Sequence, residues 1–150
     1  MELLVGLLAL LTAGLFTGAA LYISFVEHPA RLPLDDAALL KQWKPAYHRG
    51  TLMQAPLALL GLLLGSAAWW MTDDALYLAG GMAMFFNWPW TSFRMMAGNN
   101  RLKATPIEQA GPETRAGLVR WGRLHAVRTG LGAFACVLFI VAIWCDVGGG

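Results

Sequence analysis

Charge is scarce in this 150-residue sequence: Asp, Glu, Lys and Arg make up 13% of it, against 57% hydrophobic residues and a mean hydropathy of +0.53. Soluble domains carry about a quarter charged residues, so a water-facing globule is excluded. Seventeen glycines follow no Gly-X-Y period, which excludes collagen, and the hydrophobic fraction excludes disorder. A net charge of only +2 leaves no electrostatic footprint for nucleic acid. Strand-like alternation of apolar and polar residues is missing, so a membrane β-barrel is excluded too. The only two cysteines, Cys136 and Cys145, are nine residues apart on one helical stretch. That is roughly 13 Å, too far for a mutual disulfide. What remains is a small all-α integral membrane protein whose partner is the lipid bilayer.

What the sequence does contain is charge-free stretches. Leu3–Val26 runs 24 residues, Gly50–Thr72 runs 23, Ala75–Phe93 runs 19 and Thr129–Cys145 runs 17. A helix needs roughly 20 apolar residues to cross about 30 Å of hydrocarbon. The expectation is a single four-span domain over residues 1–147, a transmembrane four-helix bundle with spans at about 3–26, 50–72, 75–94 and 123–145, followed by a tail at 148–150. The first stretch lacks a basic segment ahead of it and is long for a signal sequence, so it reads as a retained span.

All eleven basic residues fall in two segments, four in Glu27–Arg49 and seven in Arg94–Arg128, while Glu2, Asp73, Asp74 and Asp146 mark the other side. The positive-inside rule then places both long basic loops in the cytoplasm and both termini outside, in a plasma or inner membrane. Trp69, Trp70, Tyr77 and Trp144 read as outer interface anchors, and Trp43 and Trp121 as inner ones. Gly14/Gly18 and Gly61/Gly65 are small-xxx-small pairs that serve either packing within the bundle or a homo-oligomer seam.

Polar residues are distributed unevenly in depth. The outer halves of the spans hold little beyond Thr12, Ser66 and Tyr77, whereas the inner halves are rich. Helix one ends with Tyr22, Ser24, Glu27 and His28; helix two begins with Tyr47, His48, Arg49, Thr51 and Gln54. Helix three ends with Asn87, Trp90, Thr91 and Arg94, with Asn99 and Asn100 beyond; helix four begins with Trp121, Arg123, His125 and Arg128. Asn87, Thr91 and Arg94 are spaced as one helical stripe, and so are Trp121, His125 and Arg128. Arginines at helix ends also snorkel to headgroups, but Asn87 and Gln54 lie too deep for that. Converging stripes predict a polar pocket open to the cytoplasm beneath an apolar outer plug, walled by Trp88 and Trp90. The three histidines, His28, His48 and His125, lie in this layer on three helices. They suit a metal site, an acid–base pair or plain interface hydrogen bonding, and they show no local ligand signature.

Several motifs carry a resemblance. Tyr22…Glu27-His28-Pro29-Ala30-Arg31, Trp43…Tyr47-His48-Arg49-Gly50, Asn87-Trp88-Pro89-Trp90-Thr91, Asn99-Asn100-Arg101-Leu102 and Trp121…His125…Arg128 resemble the anthrone-oxygenase-like family of small four-span membrane proteins. The resemblance implies a four-helix membrane bundle and, from its fungal members, a monooxygenase-type oxidation of anthrones to anthraquinones by O2. It implies His48 or His125 as base, Arg128 with Asn87 on the developing oxyanion, and Glu27 orienting a histidine. Trp88, Trp90, Thr91, Tyr22, Gln54, Arg94 and Asn99 would bind a hydrophobic small-molecule substrate. Such an oxidoreductase needs either no cofactor or a metal or haem held by His28, His48 and His125. The alternatives are a small-molecule transporter and a non-catalytic membrane-complex subunit; against the transporter, no carboxylate lies near the middle of a span.

Overall fold

In the computed structural model, which describes residues 1–148, short polar residues decide where helices begin and end. Asp35 accepts the Ala38 N–H at 2.8 Å and starts α3 (Asp36–Thr72); Asp74 accepts the Leu76 N–H at 2.8 Å and starts α4 (Ala75–Phe85). Between them Asp73 takes the left-handed conformation at φ 60, alone among the described non-glycine residues, and this closes the hairpin. The chain opens with α1 (Glu2–Tyr22), a π-helical turn at Ile23–Glu27 and a short α2 (His28–Arg31). After α4 come α5 (Asn87–Trp90), a second π-helical turn at Thr91–Met95, α6 (Met96–Ala104), a 3-10 turn and α7 (Pro112–Gly148). No strand occurs among the described residues. Helices α1 and α4 sit at opposite corners, each packed against both α3 and α7.

Three helical stretches, Glu2–Arg31, Asp36–Thr72 and Pro112–Gly148, are long and apolar enough to cross a membrane. The third expected span is interrupted. Pro89 has no N–H and its ring excludes the Phe85 carbonyl, so α4 stops at Phe85. The π-helical turn that follows inserts a residue and breaks the Asn87, Thr91 and Arg94 stripe: Asn87 is buried, Thr91 half-buried and Arg94 exposed. The two basic segments also differ from the expected loops. Most of both is helix, because α3 begins at Asp36 and α7 at Pro112. At 37 residues each, these helices run roughly 55 Å, well past the hydrocarbon thickness. Gly148 still belongs to α7; the rest of the expected 148–150 tail lies outside the described residues.

The extra length has a consequence for the core. One apolar cluster gathers Ala9, Phe16, Ala58, Tyr77, Met84 and Phe139 toward the end where α1 begins and α7 finishes. A second gathers Leu39, Leu40, Trp43, Met95, Leu118 and Trp121 around the N-terminal extensions of α3 and α7. Trp43 and Trp121 are 0% and 7% exposed, so they are core residues and not interface anchors. Tyr77 is likewise buried, its hydroxyl donating to the Asp146 carboxylate at 2.7 Å. Along α3 and α7 the polar residues therefore lie between two apolar clusters.

Close helix approach fixes the hairpin. A Cβ at Gly65 would stand 2.7 Å from the Tyr77 carbonyl oxygen and 2.9 Å from the Gly81 Cα. Gly61 and Gly65 are thus spent inside the bundle and offer no seam to another copy, whereas Gly14 and Gly18 are exposed. Gly65→Leu is expected to lower stability by at least about 3 kcal/mol, since backbone atoms cannot yield, while Gly14→Leu should leave it unchanged. Thermal unfolding of both variants in detergent checks this.

Candidate functional site

The site is assembled where the first π-helical turn meets the middle of α7. Ser24 lies on that turn, and its Oγ stands 3.2 Å from His125 Nδ1 and 3.0 Å from Thr129 Oγ1. Thr129 in turn donates to the Ala20 carbonyl at 3.3 Å. A hydroxyl has one proton to give, so only one assignment keeps all three bonds. Thr129 donates to the carbonyl, Ser24 donates to Thr129, and His125 Nδ1–H donates to Ser24. The lone pair of His125 is then on Nε2, which makes no hydrogen bond within the described residues. His125 is 1% exposed and stacks on Trp121, centroids 4.9 Å apart, with His28 against the same indole at 5.4 Å. Gly122 makes room for His28, because a Cβ there would collide with the imidazole.

One turn further along α7, Arg128 Nη2 donates to Gln54 Oε1 at 2.9 Å, and the guanidinium lies 5.7 Å from the Phe16 ring. Its Nε–H and the Nε2 amide protons of Gln54 are buried without partners, and no described carboxylate pairs with Arg128. An uncompensated buried cation costs several kcal/mol. Such a group makes chemical sense as the seat of negative charge that arrives with a ligand. The nearest carboxylate in the layer, Glu27, is engaged elsewhere: it pairs with Arg31 at 2.7 Å and accepts from Gln42 at 3.1 Å. It orients no histidine, contrary to the expectation, because the π-helical turn aims it at α2 and α3.

Two cavities meet at Arg128. One, of about 20 Å³, is bounded by Tyr47, Gln54, Trp121, His125 and Arg128 together with the paired Glu27 and Arg31. The other, of about 220 Å³, lies between α3 and α5 and is lined by Tyr47, Thr51, Asn87, Trp88, Thr91 and Arg128. Asn87 donates from Nδ2 to the Met84 and Ala83 carbonyls at 3.0 and 3.4 Å, which takes both amide protons and leaves Oδ1 as its buried, unpartnered atom. It therefore presents an acceptor to the cavity and cannot donate to an oxyanion as expected. It suits a hydroxyl on a ligand instead. Trp88 stands at the rim with its Nε1 donating to the Ala55 carbonyl at 3.2 Å. A third cavity, of about 420 Å³, separates α6 from the start of α7 and takes in Arg94 and Asn99.

The remaining expected residues disperse. Trp90 is pinned to α7 by its Nε1 donating to the Leu124 carbonyl at 3.0 Å and lines neither cavity at Arg128. Tyr22 and His48 are exposed and border none of the three cavities. His48 is one residue from Tyr47, hence about 100° around α3 from the inward stripe of Tyr47, Thr51 and Gln54. The expected His28, His48 and His125 ligand set is consequently not formed, and no group of three His, Cys, Asp or Glu side chains suited to a metal occurs among the described residues. Nor does any histidine line the largest cavity, where an axial ligand for haem would be needed. The residues thus do not fit a three-histidine metal or haem centre. Sequence reasoning passed over Thr129, although it sits four residues after His125, and it gave Arg31 no site role.

A family model described as anthrone oxygenase matches residues 43–138. The match includes Gln54, Asn87, His125, Arg128 and Thr129 and leaves Ser24, Glu27, His28 and Arg31 outside it. No curated protein and no solved structure matches the chain.

Proposed function

This chain belongs to the anthrone oxygenase family, and from that premise we propose that it is an integral membrane oxygenase acting on a small, flat, hydrophobic ketone of the anthrone type. The observation that carries the reading is the pairing, on one face of α7, of a histidine whose basic nitrogen is free with an arginine that has no counter-ion. At 220 Å³ the cavity beside Arg128 is smaller than the roughly 300–1,000 Å³ usual for drug-sized ligands, which favours a compact planar ring system.

In this reading the ring lies against Trp88 with its carbonyl oxygen on Arg128. An anthrone carries an acidic C–H₂ opposite that carbonyl. His125 Nε2 takes one of its protons, through the space of about 20 Å³ that is large enough for a single water. The electron pair moves to the carbonyl oxygen, where Arg128 and the Nε2 protons of Gln54 stabilise the charge. Ser24 and Thr129 hold the imidazole in the tautomer that can act as base. The electron-rich carbon then adds O2; the hydroperoxide loses water and leaves a second carbonyl. One oxygen atom ends in the product and one in water, and the substrate supplies all four electrons, so no separate reductant is consumed. Asn87 Oδ1 accepts from a hydroxyl on the substrate and fixes its register.

The membrane placement belongs to the same proposal. Residues 1–147 form one domain, the α4–α6 segment completes a fourth crossing despite its break, and the basic inner ends of α3 and α7 face the cytoplasm with both termini outside. A test of the base-first step is deuterium uptake. Without O2, in D2O, the protein in nanodiscs should exchange the C–H₂ protons of anthrone faster than protein-free nanodiscs do, and His125→Ala should abolish the difference. Equal exchange in all samples would remove the proton-abstraction step.

A further inference from the structure

The largest of the three cavities is not used by this chemistry. It lies between α6 and the start of α7, holds about 420 Å³, and is rimmed by Arg94, Arg101 and Arg120 against a single carboxylate, Glu113. Glu113 is bonded to Arg101, while Arg94 and Arg120 have no anionic partner among the described residues. Arg94 is held in place by lying over the Trp90 ring at 5.7 Å. Two polar groups in the wall are buried and unpartnered: Oδ1 of Asn99, a residue 1% exposed, and Nε1 of Trp121. Asn99 is positioned from behind, its Nδ2 donating to the Tyr47 hydroxyl at 3.2 Å. The site is therefore positively charged at its mouth and has a free N–H and a free carbonyl oxygen in its wall. Its apolar contacts come from Met95, Leu102 and Leu124.

We propose that this cavity binds the head group of an anionic phospholipid that carries hydroxyls, with the phosphate between Arg94 and Arg120 and a hydroxyl on Asn99 Oδ1. The charge asks for an anion, and a phosphate diester matches the forked guanidinium geometry. The volume far exceeds a bare phosphate and leaves room for the glycerol of a phosphoglycerol head. Beside Arg94, Phe93 is 86% exposed, and Met96 is exposed one turn on, so acyl chains leaving the mouth have apolar surface to follow. Basic pockets at the inner ends of membrane helices suit such head groups. The inference rests on the membrane placement proposed above and is independent of the oxidation chemistry.

The test uses the full chain purified in an uncharged detergent and titrated separately with phosphatidylglycerol, phosphatidylcholine and soluble glycerol phosphate, with binding read by native mass spectrometry. Phosphatidylglycerol should bind preferentially. Arg94→Gln/Arg120→Gln should weaken it roughly 30-fold, at about five-fold per basic residue. Lys41→Gln/Arg49→Gln, which removes the same charge from exposed positions that do not line the cavity, should leave it unchanged. Equal binding of phosphatidylcholine, or an equal loss in the Lys41/Arg49 variant, would overturn the site. Binding of glycerol phosphate with the same Arg94/Arg120 dependence would overturn the lipid assignment in favour of a soluble phosphate ester. None of these readouts uses catalysis, so a failure here is separable from a failure of the proposed oxidation.

Discussion

His125→Ala is expected to lower the O2-dependent oxidation of anthrone by about 10²–10⁴-fold while leaving the protein folded in detergent. The size of the effect follows from the site's construction. His125 is the buried histidine whose basic nitrogen is freed by a defined hydrogen-bond chain, and no other histidine bounds either cavity that meets Arg128. His28 packs at a tilt against the same indole, centroids 5.4 Å apart, and lines neither of those cavities. Ser24→Ala provides the graded control. It keeps the imidazole but removes the acceptor for Nδ1–H, so the tautomer with a bare Nε2 loses its preference and the rate should fall by less than in the alanine variant of His125. Initial rates in nanodiscs, with thermal midpoints measured on the same preparations, separate the two contributions. A His125 variant that oxidises anthrone at the parent rate would remove the base from the account.

Arg128→Leu should cost about 10²–10³-fold in kcat, the range for deleting one donor to a developing oxyanion. Its effect on stability should have the opposite sign from most truncations of buried residues. The guanidinium has no carboxylate partner and one hydrogen bond, to Gln54, so replacing it by an apolar side chain removes a buried charge that the protein does not neutralise. Loss of that charge also lengthens the apolar run of α7, which favours insertion. The expected result is a protein that inserts fully, melts at or above the parent temperature and turns over poorly. Loss of activity together with loss of folded protein would make Arg128 a structural residue.

The polar stripe of α7 was legible in the sequence because α7 is a regular helix. Trp121, His125 and Arg128 keep the 3.6-residue stripe that their spacing implies, and the depth of Gln54 and Asn87 marked them as buried partners. His48 was legible in principle, since Tyr47, Thr51 and Gln54 define the inward face of α3 and turn their neighbour outward. Other features were hidden by non-local causes. The π-helical turns at Ile23–Glu27 and Thr91–Met95 each add a residue to the register, so Ser24 meets His125 and Arg94 leaves the Asn87 face. Trp43 and Trp121 have the positions of interface tryptophans, and only the N-terminal extensions of α3 and α7 reveal that they pack on each other, centroids 5.9 Å apart. The side of the Asn87 amide that is free depends on the carbonyls of its own helix, which the sequence does not display.

The most direct measurement is the stoichiometry and rate of O2 consumption against anthraquinone formation, in nanodiscs containing the parent protein or the His125→Ala/Arg128→Leu double variant. The expected result is one O2 consumed per quinone formed, no requirement for an added reductant, and a rate in the double variant no greater than in empty nanodiscs. A parent protein that is no faster than empty nanodiscs, or a double variant that keeps the parent rate, would contradict it.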